Sequence, residues 1–132
     1  ERFVIPSFVR RILDIQKSGA KSGEIETGDT SIIRDFVDVR DVVRAYYQLL
    51  MQGKTGEVYN ICGEKGVSLA DVVKEIADIV GVEITTRVNP DFVRPGDNQM
   101  VIGSAAKICQ DIGWKAEIPL RQTLTDMIEY MR

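Results

Sequence analysis

Gly56-Glu57-Val58-Tyr59-Asn60-Ile61-Cys62-Gly63 is the stretch that decides the fold class. Between the flanking glycines, residues 57–62 form a short apolar run rich in strand formers, which suits a strand buried on both faces. Such strands belong to parallel sheets. A helical pattern stands on either side of it. Upstream, Asp38 is a good N-cap with Asp41 three residues on in a box-like position, and Val42, Val43, Tyr46, Leu49 and Leu50 recur at helical spacing until Gly53. Downstream, Ser68 caps a helix whose face is Leu69, Val72, Val73, Ile76, Ala77 and Val80, with Gly81 as its stop. A strand between two helices has the form of one βαβ-type unit, so the expected class is α/β, in a mixed α+β arrangement. One or two parallel strands make no stable sheet. The expectation is therefore a peripheral strand–helix unit of a larger parallel sheet whose main part is absent from this chain.

Outward from that centre, the first helix is predicted after Pro6-Ser7. Ser7 serves as its cap, Phe8, Val9, Ile12 and Leu13 form its stripe, and Lys17-Ser18-Gly19 forms its end. Glu24–Thr27 and Ser31–Phe36 read as two extended segments of a hairpin around Gly28-Asp29. Val82 to Val88 alternates weakly and leads into Asn89-Pro90. A loop through Arg94 to Gln99 and a short apolar piece, Met100-Val101-Ile102, follow. Then come a helix capped by Ser104 and ended by Gly113, and a last helix from about Leu120. There are no repeats and no low-complexity tracts.

The bulk properties exclude several classes of function. The chain has 132 residues, 44% hydrophobic and 28% charged, which is ordinary for one globular domain, and holds no apolar run long enough to cross a bilayer. A formal net charge of -3 offers no basic field to nucleic acid. Without histidine, and with Cys62 and Cys109 outside any metal-ligand spacing, a zinc site or a histidine-based triad is out. The chain starts at Glu1 with no leader pattern, and the expectation is a piece of a longer cytoplasmic protein.

Arg94-Pro95-Gly96-Asp97 is the string most suggestive of a ligand. A guanidinium offers paired donors to phosphate oxygens, whereas an ionised carboxylate only accepts and so suits ribose hydroxyls. The same four residues also read as a turn with a surface ion pair, and Arg34-Asp35 reads equally as a cross-strand pair. Asp38 and Asp41 read as a helix cap. Trp114, just past Gly113, reads as a packed ring, and Tyr46, Tyr47 and Tyr59 as core or edge aromatics.

The ordered set Arg34-Asp35-Phe36-Val37-Asp38-Val39-Arg40-Asp41, Gly56-Glu57-Val58-Tyr59-Asn60-Ile61, Arg94-Pro95-Gly96-Asp97 and Lys107 through Gly113-Trp114 resembles the C-terminal portion of the extended short-chain dehydrogenases/reductases, the NAD-dependent epimerase/dehydratase family. The resemblance runs from about Phe3 to Met131. It is most similar to the GDP-4-keto-6-deoxymannose reductases, which group with the GDP-mannose 4,6-dehydratases. The dehydratases usually carry glutamate at the position of Asp97 and an aromatic–glycine pair at that of Phe36-Val37, so the reductase branch is favoured.

The resemblance implies that Arg34 and Arg94 grip a diphosphate, that Asp97 accepts from ribose hydroxyls, and that the apolar lead-in with Val4 and Ile5 lies near the base. It implies a GDP-sugar substrate, with UDP- or dTDP-sugars and a non-catalytic binding module as the alternatives, and a homo-oligomeric parent. It also implies NAD or NADP in the parent, held by a part outside this chain. The family's Gly-x-x-Gly-x-x-Gly turn and Tyr-x-x-x-Lys pair are missing here: Gly53-x-x-Gly56 and Gly63-x-x-Gly66 stop at two glycines, and no tyrosine has a lysine four residues on. The chain is thus expected to be a single substrate-binding fragment over 1–132, inactive alone. It should have no catalytic, cofactor-binding or metal-binding residue of its own, and its helix–strand–helix stretch 38–81 should pack on the missing dinucleotide-binding domain.

Overall fold

The computed structural model describes residues 3–93 and 95–132, so Arg94 lies outside the described residues. In chain order the elements are α1 (Val4–Lys17), β1 (Ser22–Thr27), β2 (Ile33–Asp35), α2 (Val39–Gln52), β3 (Gly66–Ser68), α3 (Leu69–Val80), β4 (Glu83–Val88), β5 (Met100–Val101), α4 (Ala106–Ile112) and α5 (Leu120–Met131). The class is α/β, as expected, and both strand registers defined below are parallel. The elements divide between two compact units. The first takes in the chain up to Ile32, Ser68–Gln99 and Arg121–Arg132; the second takes in Ile33–Val67 and Met100–Leu120.

The first unit is built on aliphatic helix faces. In α1, Phe8, Val9, Ile12 and Leu13 fall at helical spacing and are buried, and in α3 so are Val72, Val73, Ile76, Ala77 and Val80. These two helices pack together, and β1 pairs with β4 in parallel from Ser22↔Glu83 to Thr27↔Val88. The ends of α3 are those the sequence dictates: the Ser68 hydroxyl accepts from the Asp71 N–H at 3.0 Å, and Gly81 takes the left-handed conformation (φ 81°) that favours glycine. From α5, Leu124 and Ile128 are buried.

Two expectations fail in this unit. Helix α1 begins at Val4 rather than after Ser7. Pro6 sits in its first turn, where the missing N–H costs nothing, and the Ser7 N–H already donates to the Phe3 carbonyl. Nor do Glu24–Thr27 and Ser31–Phe36 form a hairpin: β1 pairs with β4 and β2 with β5. A two-residue primed turn needs positive φ at its leading position, and neither Gly28 nor Asp29 has it. Gly28 is needed for another reason, since a Cβ there would stand 2.7 Å from the Phe92 carbonyl oxygen. Asp29 turns the chain locally by accepting from the backbone N–H and hydroxyl of Ser31.

The second unit carries a sheet of order β3-β2-β5, with β2 and β5 parallel in the register Ile33↔Met100 and Arg34↔Val101. Its apolar core is small: Ala45, Ala105, Ile108 and Trp114, with Leu49, Tyr59, Ile61 and Cys62 against it. Trp114 is packed, as expected, and its indole N–H donates to the Asp41 carbonyl at 3.1 Å.

The stretch that decided the class does not itself form a strand. Residues 57–62 carry no strand assignment, and Val58 is 79% exposed. A central strand needs a hydrogen-bonding neighbour on each edge, and the segment enters neither sheet. Side chains tether it instead. Lys107 Nζ donates to the Val58 carbonyl at 2.8 Å and pairs with Glu57 at 2.6 Å, while the Tyr59 hydroxyl donates to Asp111 at 2.8 Å.

Helix α2 also turns a different face inward than its apolar stripe suggests. Asp41 and Ala45 are buried, whereas Val39, Val43, Tyr46, Tyr47 and Leu50 are exposed, so Tyr46 and Tyr47 are not core residues. The Asp41 carboxylate has its partners inside the unit, and Leu49 of the stripe packs against the core. Helix α4 ends at a left-handed Gly113, as predicted; Ala105 stands at its N-cap, and the Ser104 hydroxyl one residue before it accepts from the Ala106 N–H at 3.4 Å.

Candidate functional site

Arg34 occupies the middle of β2, opposite Val101, half-buried, with Nη1 donating to the carbonyl of Ile33 at 2.9 Å. The next residue, Asp35, closes the strand and accepts backbone N–H bonds from three places. Gly63 donates at 2.9 Å, Glu64 at 2.9 Å and Gly103 at 3.2 Å. Arg34-Asp35 is therefore not a simple ion pair, because both carboxylate oxygens are turned to main-chain donors.

Beyond Asp35, the Asp38 side chain caps α2 by accepting from the Arg40 N–H at 2.8 Å. Asp41 lies 2% exposed and accepts from the Ile118 N–H at 2.9 Å, the Glu117 N–H at 3.0 Å and the Arg44 guanidinium at 2.6 Å. Burial alone would raise its pKa, but the Ile118 amide, Arg44 and the Glu117 amide outweigh it and hold the carboxyl below the usual range. The sequence reading of Asp38 and Asp41 as helix-end groups holds for Asp38. Asp41 is instead a buried anchor for residues 117 and 118, a role with no local signal because its partners lie far along the chain.

The other expected site residues are placed as follows. Val4 and Ile5 stand on the first turn of α1, in the first unit. Asp97, also in the first unit, is exposed and follows a turn at Pro95-Gly96, where Gly96 takes φ 78°. Pro95-Gly96 thus forms a turn, as that reading expects of these two residues. Arg34 belongs to the second unit.

In the second unit a cavity of about 210 Å³ is lined by Phe36, Val37, Gly63, Lys65, Glu117 and Ile118. Ligand pockets for small molecules run to roughly 300–1,000 Å³, so this one by itself admits no nucleotide sugar.

The glycines of the two Gly-x-x-Gly pairs differ in the space around them. At Gly63 a Cβ would lie 2.9 Å from Asp35 Oδ1, and at Gly66 it would lie 2.6 Å from Ile102 and 2.7 Å from Ile33. At Gly53 the Leu49 carbonyl stands 2.5 Å from the same position. The space at these three glycines is filled by their own chain, whereas nothing lies within 4 Å of a Cβ placed on Gly56, which takes φ 80°. Among the described residues no cluster of three or more histidine, cysteine or carboxylate side chains could hold a metal ion, and no helix is long and apolar enough to cross a membrane.

The family model described as GDP-mannose 4,6 dehydratase matches residues 1–127. The chain belongs to this family. It is 37% identical over 124 residues to GDP-6-deoxy-D-mannose reductase of Pseudomonas aeruginosa, a match that takes in 94% of this chain and 40% of that protein. It is 35% identical over 104 residues to dTDP-glucose 4,6-dehydratase of Escherichia coli, across 74% of this chain and 29% of that one. Among solved structures, RMD from Pseudomonas aeruginosa complexed with NADPH superposes with a TM-score of 0.87 at 35% identity, over 98% of this chain and 42% of that one. UDP-glucose 4-epimerase of Thermotoga maritima with UDP-glucose gives 0.82 at 30% identity, over 98% and 39%. The family member at hand thus spans less than half the length of each of these relatives.

Proposed function

We propose that this chain is the nucleotide-sugar-binding portion of an NAD(P)-dependent enzyme that modifies a GDP-sugar, of the GDP-4-keto-6-deoxymannose reductase or GDP-mannose 4,6-dehydratase type. The observation that carries the reading is the match of the family model along residues 1–127, in a chain without the Gly-x-x-Gly-x-x-Gly turn or the Tyr-x-x-x-Lys pair. Arg34 and Arg94 take the diphosphate, each through paired guanidinium donors. Asp97 accepts from the ribose hydroxyls, and Val4 and Ile5 stand near the base. NAD or NADP supplies the hydride chemistry when bound, through residues outside this chain, so the 132 residues alone are inactive. The parent is a cytoplasmic homo-oligomer.

Residues 38–81 dock on the dinucleotide-binding part. Two features support this: the exposed stripe Val39, Val43, Tyr46, Tyr47 and Leu50 on α2, and a run of strand formers at 57–62 that enters no sheet.

The test is Arg94→Ala in the full-length protein. It raises KM for the nucleotide sugar strongly while the far-UV circular dichroism is unchanged, because it removes a charged contact to diphosphate. An unchanged KM would make Arg94 a turn residue and sink the assignment. GDP and UDP titrated calorimetrically into the same protein separate a GDP-sugar enzyme from its UDP-sugar relatives.

A further inference from the structure

The hydrogen bonds around Asp35 say more than that β2 ends there. Strand β2 is three residues long and its parallel partner β5 is two, too little ladder to fix the direction of a long side chain. Arg34 Nη1 donates to the Ile33 carbonyl, and a denser set of bonds lies one residue on. The Asp35 carboxylate gathers the N–H groups of Gly63, Glu64 and Gly103, two chain segments separated by about forty residues, onto the end of the strand that bears Arg34.

The surroundings are built to let it do so. A Cβ on Gly63 would press on Asp35 Oδ1, and one on Gly103 would stand 2.7 Å from Cys62 Sγ. Glu64, between the donors, is held at φ 58°, alone among the described non-glycine residues in having positive φ, and its own carboxylate accepts from the Ala105 N–H at 2.7 Å. Backbone held in so sparsely populated a region persists where its neighbours over-determine it. Because successive side chains of a strand leave opposite faces, a bond network on Asp35 orients Arg34 without occupying the space in front of it.

We infer that Asp35 is the positioning residue for Arg34: by tying Gly63, Glu64 and Gly103 to the end of β2, its carboxylate sets the direction in which the guanidinium meets the ligand diphosphate. The inference rests on the proposed reading of Arg34, and the experiment distinguishes the failure of one from the failure of the other.

In the full-length protein, KM and kcat for the nucleotide sugar are measured for Arg34→Ala, Asp35→Asn, Asp35→Glu and each Asp35 variant combined with Arg34→Ala. Asp35→Asn keeps the shape but turns a donor toward a main-chain N–H. It is expected to raise KM about tenfold with kcat within about twofold, as the loss of one charge-assisted bond network would. In the Arg34→Ala background the same change should have no further effect on KM, because nothing is left to aim. Asp35→Glu keeps the charge, displaces it by one methylene, and serves as the second probe if the asparagine variant does not fold. Its expected rise is smaller and vanishes in the same background. An equal KM rise with and without Arg34, or no rise where Arg34→Ala itself produces one, overturns the inference and leaves the diphosphate reading standing. An Arg34→Ala protein with unchanged KM overturns both.

Discussion

The two units of this chain are stabilised in different ways. The first buries Phe8, Val9, Ile12 and Leu13 of α1, the five-residue face of α3, and Leu124 and Ile128 of α5, an aliphatic core assembled from helix stripes. The second has Ala45, Ala105, Ile108 and Trp114 at its centre, and its segments are joined by carboxylates that accept main-chain N–H bonds: Asp35 to residues 63, 64 and 103, Asp41 to residues 117 and 118. Apolar burial is non-directional and tolerates adjustment, whereas a buried carboxylate demands particular donors in particular places. The unit with the smaller apolar core is thus the one whose segments depend on directional main-chain bonds.

The largest effect should come from the first unit's core. Ile76→Ala empties a position with no solvent exposure, and the expected cost is about 3 kcal/mol of unfolding free energy from lost transfer energy and the cavity left behind. Urea denaturation followed by far-UV circular dichroism measures it, and the loss should be the same at pH 5 and pH 8. A pH-dependent loss would mean that ionised groups support this core too, and would break the contrast.

A smaller and pH-dependent effect is expected in the second unit. Asp41→Asn removes a charged acceptor from two amides and Arg44, and the cost at pH 7 should be about 2 kcal/mol. The folded carboxyl titrates below its ordinary value, so as pH falls through the window beneath the unfolded value of about 3.9, the unfolded chain binds the proton first. The stabilisation is therefore complete above that value and lost as pH drops through the folded one. Trp114, the single tryptophan, lies in this unit and donates to the Asp41 carbonyl, so its fluorescence reports the transition. The wild-type and variant midpoints should converge in acid, and parallel curves would show that Asp41 acts by shape rather than by charge.

The same division explains what could be read along the chain. The stripes of α1 and α3, the Ser68 cap and the Gly81 and Gly113 stops are local, so spacing alone discloses them. Pairings between distant segments are not local. The Gly28-Asp29 pair reads as a hairpin turn because composition does not reveal φ, and β1 finds its partner in β4 and β2 its partners in β3 and β5, all far along the chain. On α2, the periodic residues Val43, Tyr46 and Leu50 are exposed while Asp41 is buried, and no hydrophobicity pattern anticipates a carboxylate on the inner face. The run at 57–62 was recognised by its composition, but a strand needs a partner as well as a sequence. Of the candidate site, the sequence proposes Arg34 and Asp97 by their side-chain chemistry and does not disclose the main-chain bonds gathered by Asp35, since glycine amides at 63 and 103 leave no side-chain signature.

The smallest effect tests whether carboxylates stabilise only when their partners are fixed. On the exposed faces of β1 and β4, Arg87 bridges Glu24 at 2.8 Å and Glu26 at 2.6 Å, with good geometry but with more than half of the arginine side chain in solvent. Two long side chains held in one arrangement lose rotamer entropy, and water and salt weaken what they gain. Arg87→Ala should leave the urea midpoint at 0.15 M salt within error of the wild type. Asp41, by contrast, meets two backbone amides whose positions the chain has already set, and no side-chain entropy is lost on their side of the bond. A loss for Arg87→Ala as large as that for Asp41→Asn would mean that charge alone, without burial or main-chain donors, stabilises this protein, and the distinction between its two units would collapse.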